Sequence, residues 1–217
     1  VMEIDQHAFC HSTKLKSITI PYSVLRINFD AFSECIELER ITVSPNNQTY
    51  KDIEGVLYSK DSRMLINYPA KKKDKEYYLP EEVAFICTEA FKDNQSLEIV
   101  KIGDNVTALS DYAFKNCTNL TTVALGSNVR IIGKEAFANC KNLAEFTYPI
   151  SLKSVSGGYG DYGIFVGCTA LTSVVVPEGV TALPANVFYK APALMSVSLP
   201  STLTSIGAHA FDTSAIT

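Results

Sequence analysis

The sequence predicts a solenoid: a right-handed, curved superhelix of stacked short units, mainly β. A parallel sheet would line one face, and short helical or 3₁₀ turns and loops the other. Three observations predict it. A skeleton L-x-x-V-x-L, V-x-x-I-G, A-F-x-x-C, seen whole in Leu120–Asn142, recurs on both sides. Its phenylalanine falls at positions 9, 32, 91, 114, 137, 165, 188 and 211, at steps of 23, 59, 23, 23, 28, 23 and 23 residues. No unit is long enough to bury its own apolar face, so neighbours must stack to share one core. The whole chain, 1–217, is expected to form one domain of about eight such units.

Composition sets outer bounds. The 217 residues are 47% hydrophobic and 19% charged, which fits a folded chain and excludes a disordered one. The formal net charge is −4, so no nucleic-acid footprint is expected. No apolar run is long enough to span a membrane. Val1 begins inside a repeat and Thr217 stands where the next leucine is due. Both ends are therefore expected to be cuts or processed ends.

The elements follow in order. Val1–Lys14 is the second half of a unit, with Ile4, Ala8 and Phe9 in their places. In Leu15–Glu37, Ile18 and Ile20 alternate with Ser17 and Thr19, the period of a strand with one buried face. Pro21 ends that strand because it has no amide hydrogen to donate. Val24 and Ile27 turn the chain inward, and Asp30-Ala31-Phe32 is expected to be one short helical or 3₁₀ turn. Leu38–Val43 opens a third unit, and the 59-residue step follows. Residues 46–75 are read as an inserted β-hairpin, with Val56–Tyr58 and Met64–Tyr68 as its strands and Ser59–Arg63 as its loop. Tyr77 and Leu79 rejoin the strand places. From Leu97 the repeats run on, except that the Leu143 unit is five residues longer than its neighbours. The surplus lies in 154–163, SVSGGYGDYG, a glycine- and tyrosine-rich loop.

The string I-P-x-x-V-x-x-I-x-x-x-A-F-x-x-C-x-x-L, clearest in Ile20–Leu38 and in Val176–Phe188 with Leu194, resembles the BspA-type leucine-rich repeat. The hairpin stretch, with Gly55-Val56-Leu57-Tyr58 and Tyr68-Pro69, resembles an insertion seen in that family. The resemblance implies a leucine-rich-repeat solenoid. It also implies a secreted or surface-displayed, non-enzymatic protein of bacteria or some protists, used for adhesion or host interaction. It carries over no ligand-contact residue.

The remaining motifs have plain readings beside the functional ones. Cys35, Cys117, Cys140 and Cys168 each lie three residues after the repeat phenylalanine. They read as core thiols, since unbonded cysteine packs as a small apolar group, although stacking would bring neighbours near enough to bridge. No C-x-x-C pair exists for a metal, so no metal and no cofactor are expected. Gly158–Gly163 matches G-x-G-x-x-G, but Ile164-Phe165 resumes the repeat where a dinucleotide site needs a long helix. His7 and His209 share a repeat place with Asp30, Glu89, Tyr112 and Glu135, and no convergent nucleophile and base can be assembled. Five N-x-S/T strings, at Asn47, Asn94, Asn105, Asn116 and Asn119, read as glycan acceptors or as turn asparagines; the family resemblance favours the second.

A ligand would meet either the outward strand places or the insertions. The outward places include Arg40, Lys101 and Glu145 among small polar residues such as Ser173 and Ser196. The insertions offer Lys71, Lys72 and Lys73, which read as a basic patch or as a solvated connection. They also offer Tyr159 and Tyr162, since exposed tyrosines are frequent at interfaces. The insertions are preferred, because they are free of stacking constraints. The expected function is a binding module for a protein or glycan, host extracellular matrix included, acting as a monomer. The second reading is a passive spacer that displays another domain, and the third an enzyme.

Overall fold

The computed structural model describes residues 1–156 and 163–216. Tyr159 and Tyr162 lie outside these. Among the described residues the chain makes about nine turns of a parallel β-solenoid and forms no helix.

The first coil holds β1 (Glu3–Ile4), and the second holds β2 (Ser17–Ile20) and β3 (Arg26–Ile27). The third runs through β4 (Arg40–Val43), β5 (Tyr50–Ile53), β6 (Val56–Ser59) and β7 (Met64–Asn67). Regular coils follow, each with two strands: β8 (Glu76–Tyr78) and β9 (Phe85–Ile86), then β10 (Ile99–Lys101) and β11 (Ala108–Leu109). Next come β12 (Thr122–Ala124) with β13 (Ile131–Ile132), and β14 (Glu145–Phe146) with β15 (Ser154–Val155). The last two coils hold β16 (Ser173–Val175) with β17 (Ala182–Leu183), and β18 (Ser196–Ser198) with β19 (Ser205–Ile206).

The repeat thus makes two strand strips, not one. L-x-x-V-x-L gives the first, and V-x-x-I gives a second, two-residue strip. In the first strip β10 pairs in parallel with β8 and β12, placing Val100 opposite Tyr77 and Val123. In the second, Leu109 lies opposite Ile86 and Ile132. Between these regular coils the register equals the 23-residue period, so the buried residue of each coil lands on its counterpart.

The third side of each coil was expected to be a helical or 3₁₀ turn. It is a run of separate turns. Lys92 N–H closes on the Glu89 carbonyl and Asn94 N–H on that of Phe91. The amides between them look outward to the next coil: Glu89 donates to Asp111 at 3.1 Å, Phe91 to Ala113 at 2.8 Å and Asp93 to Lys115 at 2.9 Å. Every second residue pairs within the coil and every other one across it, which satisfies the backbone. Left-handed residues impose the alternation: φ is +59° at Glu89 and +64° at Asp93, then +59° at Tyr112 and +63° at Asn116. A helix needs consecutive right-handed residues, so it cannot form here.

The repeat phenylalanines stack down the core. Phe91 and Phe114 are 4.6 Å apart between ring centroids, Phe114 and Phe137 5.4 Å, and Phe137 and Phe165 5.8 Å. Tyr68 stands 23 residues before Phe91, stacks on it at 5.0 Å, and occupies the phenylalanine place of the third coil. The 59-residue step is therefore a 36-residue coil followed by a regular one. The repeat cysteines are free, and each buried thiol donates to the carbonyl of the preceding coil's phenylalanine, as Cys117 does to Phe91 at 3.0 Å and Cys140 to Phe114 at 3.1 Å.

The third coil also departs from the hairpin expected of it. β6 and β7 pair antiparallel, but β5 adds to β6 through a two-residue turn, Glu54-Gly55, with φ of +51° and +83°. Positive φ at both central residues is the twist-matched hairpin turn. β7 meanwhile pairs in parallel with β9, so the meander is spliced into the second strip. β6 separates two apolar clusters, with Leu57 in the smaller N-terminal one and Val56 and Tyr58 in the larger.

Candidate ligand-binding face

Among the described residues β8, β10, β12 and β14 form one four-stranded sheet, the longest in the first strip. Its inward places hold Tyr77, Val100, Val123 and Phe146, packed in or against the large core. Alternation sends the other residues outward. These are Glu76 and Tyr78, Ile99 and Lys101, Thr122 and Ala124, and then Glu145. Lys101 and Glu145 are exposed here, two strands apart. Arg40 is exposed on β4, which pairs with β2 and is separated from this sheet by the meander.

The feature missed in the sequence is Tyr78. It lies opposite Lys101, is 56% exposed, and has the Lys101 ammonium 4.9 Å from its ring centroid. Its hydroxyl donates to Glu76 at 2.9 Å. A cation over a ring face is attracted by the ring quadrupole. The face therefore carries one pre-positioned aromatic with a charge of each sign beside it. The signal was present: Tyr78 stands one period before Lys101.

The lysine run is arranged differently. Lys71 pairs with Glu37 at 2.8 Å, which holds the Glu37 carboxyl below its usual range. Lys72 is largely covered and pairs with Asp74 at 3.1 Å, and Asp74 accepts from the Tyr68 hydroxyl at 2.8 Å. Lys73 is exposed and makes no ion pair among the described residues.

One cluster could carry chemistry. The Ser33 hydroxyl donates to Glu89 at 2.5 Å and accepts from Lys92 at 3.2 Å, while Lys92 pairs with Glu89 at 2.9 Å. The adjoining cavity of about 20 Å³ has room for one water. No group of three or more potential metal ligands occurs among the described residues. The groups with large pKa shifts are core tyrosines and thiols: burial pushes Tyr77 up to about 12 and Cys87 up to about 12.

The N-x-S/T asparagines divide. Asn47 and Asn94 are fully buried. The Asn94 amide reaches the carbonyls of Pro69, Ala70 and Lys72, and its oxygen accepts from the amides of Ser96 and Leu97. Asn47 caps the preceding coil in the same way. These two are turn asparagines. Asn105 and Asn119 are exposed.

The sequence profile of the BspA type leucine-rich repeat region matches residues 1–64, 68–159 and 157–217, in six copies. The chain belongs to this family. Among solved structures, a leucine-rich repeat protein from Eubacterium ventriosum is 31% identical, with a TM-score of 0.79 over 93% of this chain and 59% of its own. A leucine rich cell surface protein from Faecalibacterium prausnitzii is 33% identical, with a TM-score of 0.80 over 93% of this chain and 52% of its own. The pneumococcal vaccine antigen PcpA shares the fold at 23% identity and a TM-score of 0.74, over 88% of this chain and 44% of its own. This BspA-type chain spans little more than half the length of the first two. No curated protein matches it. The repeat scaffold is consistent with a protein-interaction module, and no helix among the described residues is long and apolar enough to cross a membrane.

Proposed function

We propose that this BspA-type chain is a non-enzymatic binding module, displayed at a cell surface or secreted, that engages a host protein through the β8–β14 face. The observation that carries this is the exposed Tyr78 with Lys101 over its ring. Tyrosine supplies large contact area with little entropy to lose, and interface hot spots are enriched in it. The Faecalibacterium relative, described as a cell surface protein, supports the location. Lys71–Lys73 and the Tyr159/Tyr162 loop are the secondary contacts of this reading. The serines of β16 and β18 favour a spacer role for the C-terminal coils, since they offer no aromatic or arginine anchor.

The test is binding of the chain to an array of host matrix proteins, at low and high salt. Tyr78→Ala is expected to weaken a hit at least about tenfold. Lys101→Glu is expected to weaken it more at low salt than at high, because exposed charges are screened. A hit that neither change affects removes the face from the proposal. If deletion of Gly157–Asp161 or charge reversal at Lys71–Lys73 weakens it instead, recognition belongs to the insertions.

A further inference from the structure

The second strip is interrupted at the third coil. β7 takes β6 and β9 as partners, so β3 pairs only with β1 and its far edge is left open. A cleft of about 440 Å³ lies along that edge, walled by β3, Phe29, Tyr50 and the start of β7. This is within the size range of small-molecule sites, about 300–1,000 Å³. It lies on the second strip, apart from the Tyr78 face, so the two proposals stand or fall separately.

The chemistry of the cleft is specific. The Ile27 N–H, left without a strand partner, donates to the Tyr50 hydroxyl at 2.8 Å. The Ile27 carbonyl accepts no hydrogen bond among the described residues. One oxygen of Asp5 accepts from the Gln6 amide at 2.7 Å, and the other has no partner among the described residues. The Asn28 side-chain amide and the Thr49 hydroxyl also have none. Among the described residues that line the cleft Arg26 is the one cation, and Glu3 holds it in an ion pair. Phe29 presents a ring that is 38% exposed.

We infer that this cleft binds a neutral pyranose, as a free sugar or a glycan terminus. Its unmet groups are mainly acceptors, which suits a ligand rich in hydroxyl donors. Its cation is already neutralised, which disfavours an anion. An extended peptide added to β3 would need edge N–H donors for its own carbonyls, and Tyr50 occupies that of Ile27. The Phe29 face, negative at its centre, suits the polarised C–H face of a sugar ring.

The experiment is saturation-transfer NMR on the intact chain with four probes: the methyl glycosides of glucose, galactose, mannose and N-acetylglucosamine. At least one is expected to receive magnetisation. Phe29→Ala and Asn28→Ala are each expected to weaken that probe about tenfold, roughly the loss of one stacking or hydrogen-bond contact. Both side chains are exposed, so melting temperatures should hold. If Phe29→Ala does not fold, Asn28→Ala and Asp5→Asn carry the test. No transfer to any of the four overturns the assignment, and so does transfer that survives the cleft variants. A strand-forming peptide that shifts the Ile27 and Asn28 resonances where the sugars do not would also overturn it, and would make β3 a peptide edge.

Discussion

Asn94→Ala is expected to be among the most damaging single changes to a polar residue in this chain. The side chain is fully buried and sits between two coils. Its nitrogen lies 3.2, 3.2 and 3.1 Å from the carbonyls of Pro69, Ala70 and Lys72. Its oxygen lies 2.9 Å from the amides of both Ser96 and Leu97. Two of these five contacts, to Pro69 and Leu97, are fully buried, so water cannot replace them. An orphaned buried polar group costs about 1–3 kcal/mol, so two of them put the loss at about 2–6 kcal/mol. At about 2.1 cal/mol/K per residue, the unfolding entropy of 217 residues is about 0.46 kcal/mol/K. The melting temperature should therefore fall by about 4–13 °C. Asn105→Ala is the control: its exposed side chain makes one hydrogen bond, to the Glu81 carbonyl at 2.8 Å, and its loss should stay within about 0.5 kcal/mol. Circular dichroism melts of the parent and both variants decide it. An Asn94→Ala midpoint within about 2 °C of the parent would refute the view that this amide bonds adjacent coils together.

The same burial predicts where glycans go: chain secreted in folded form from a eukaryotic host should carry them at Asn105 and Asn119 and not at Asn47 or Asn94, as peptide mass mapping would show. Phe137→Ala should lower stability by about 3–5 kcal/mol, because the ring is fully buried between Phe114 and Phe165; an unchanged urea midpoint counts against the ladder. Gly167→Ala should cost about 1–3 kcal/mol, since φ is +74° and an added Cβ would lie 2.3 Å from Asn139 Oδ1, whereas Gly103→Ala, with nothing within 4 Å, should be near neutral. Stability should also fall in alkali. Burial raises the folded pKa of Tyr77 to about 12 and of Cys87 and Cys168 to about 12. A raised pKa contributes stability in full below the unfolded value, about 8.5 for thiols and 10 for phenols, and loses it as pH rises toward 12. A urea midpoint that stays flat from pH 8 to 11 would be inconsistent with buried, neutral thiols and phenols.

What could be read in the sequence is what repeats. The phenylalanine phase, the inward cysteines and the first strip follow from apolar residues recurring at one period, because stacking forces equivalent residues together. The second strip was less legible: two residues are too few to show alternation, and Ala108-Leu109 or Ile131-Ile132 carry no strand signature alone. The left-handed places were hidden because Glu89, Tyr112 and Glu135 are poor advertisements for positive φ. The backbone reason for those places, alternate pairing within and between coils, is visible only when the coils are stacked. Tyr68 escaped notice because it was read as a hairpin strand residue, and Glu54-Gly55 because it is a weaker hairpin signal than Asn-Gly or Asp-Gly.

The candidate sites were hidden for a related reason. Tyr78 stands between Tyr77 and Leu79 in the strand ladder, but that the Lys101 ammonium lies over its ring shows only when the coils are stacked. The cleft has no sequence signature at all. Asp5, Asn28 and Thr49 come from three successive coils, and what joins them is a missing strand pairing. The meander that fills the third coil's interior takes β7 away from β3 and leaves Tyr50 to satisfy one amide of the exposed edge. In a solenoid whose regular coils satisfy their own backbone and leave little unpaired, a break in the stacking is where unmet hydrogen-bonding groups collect. The insertion matters for binding in this way even though Lys71 and Lys72 are tied up in ion pairs: it opens an edge in its neighbour.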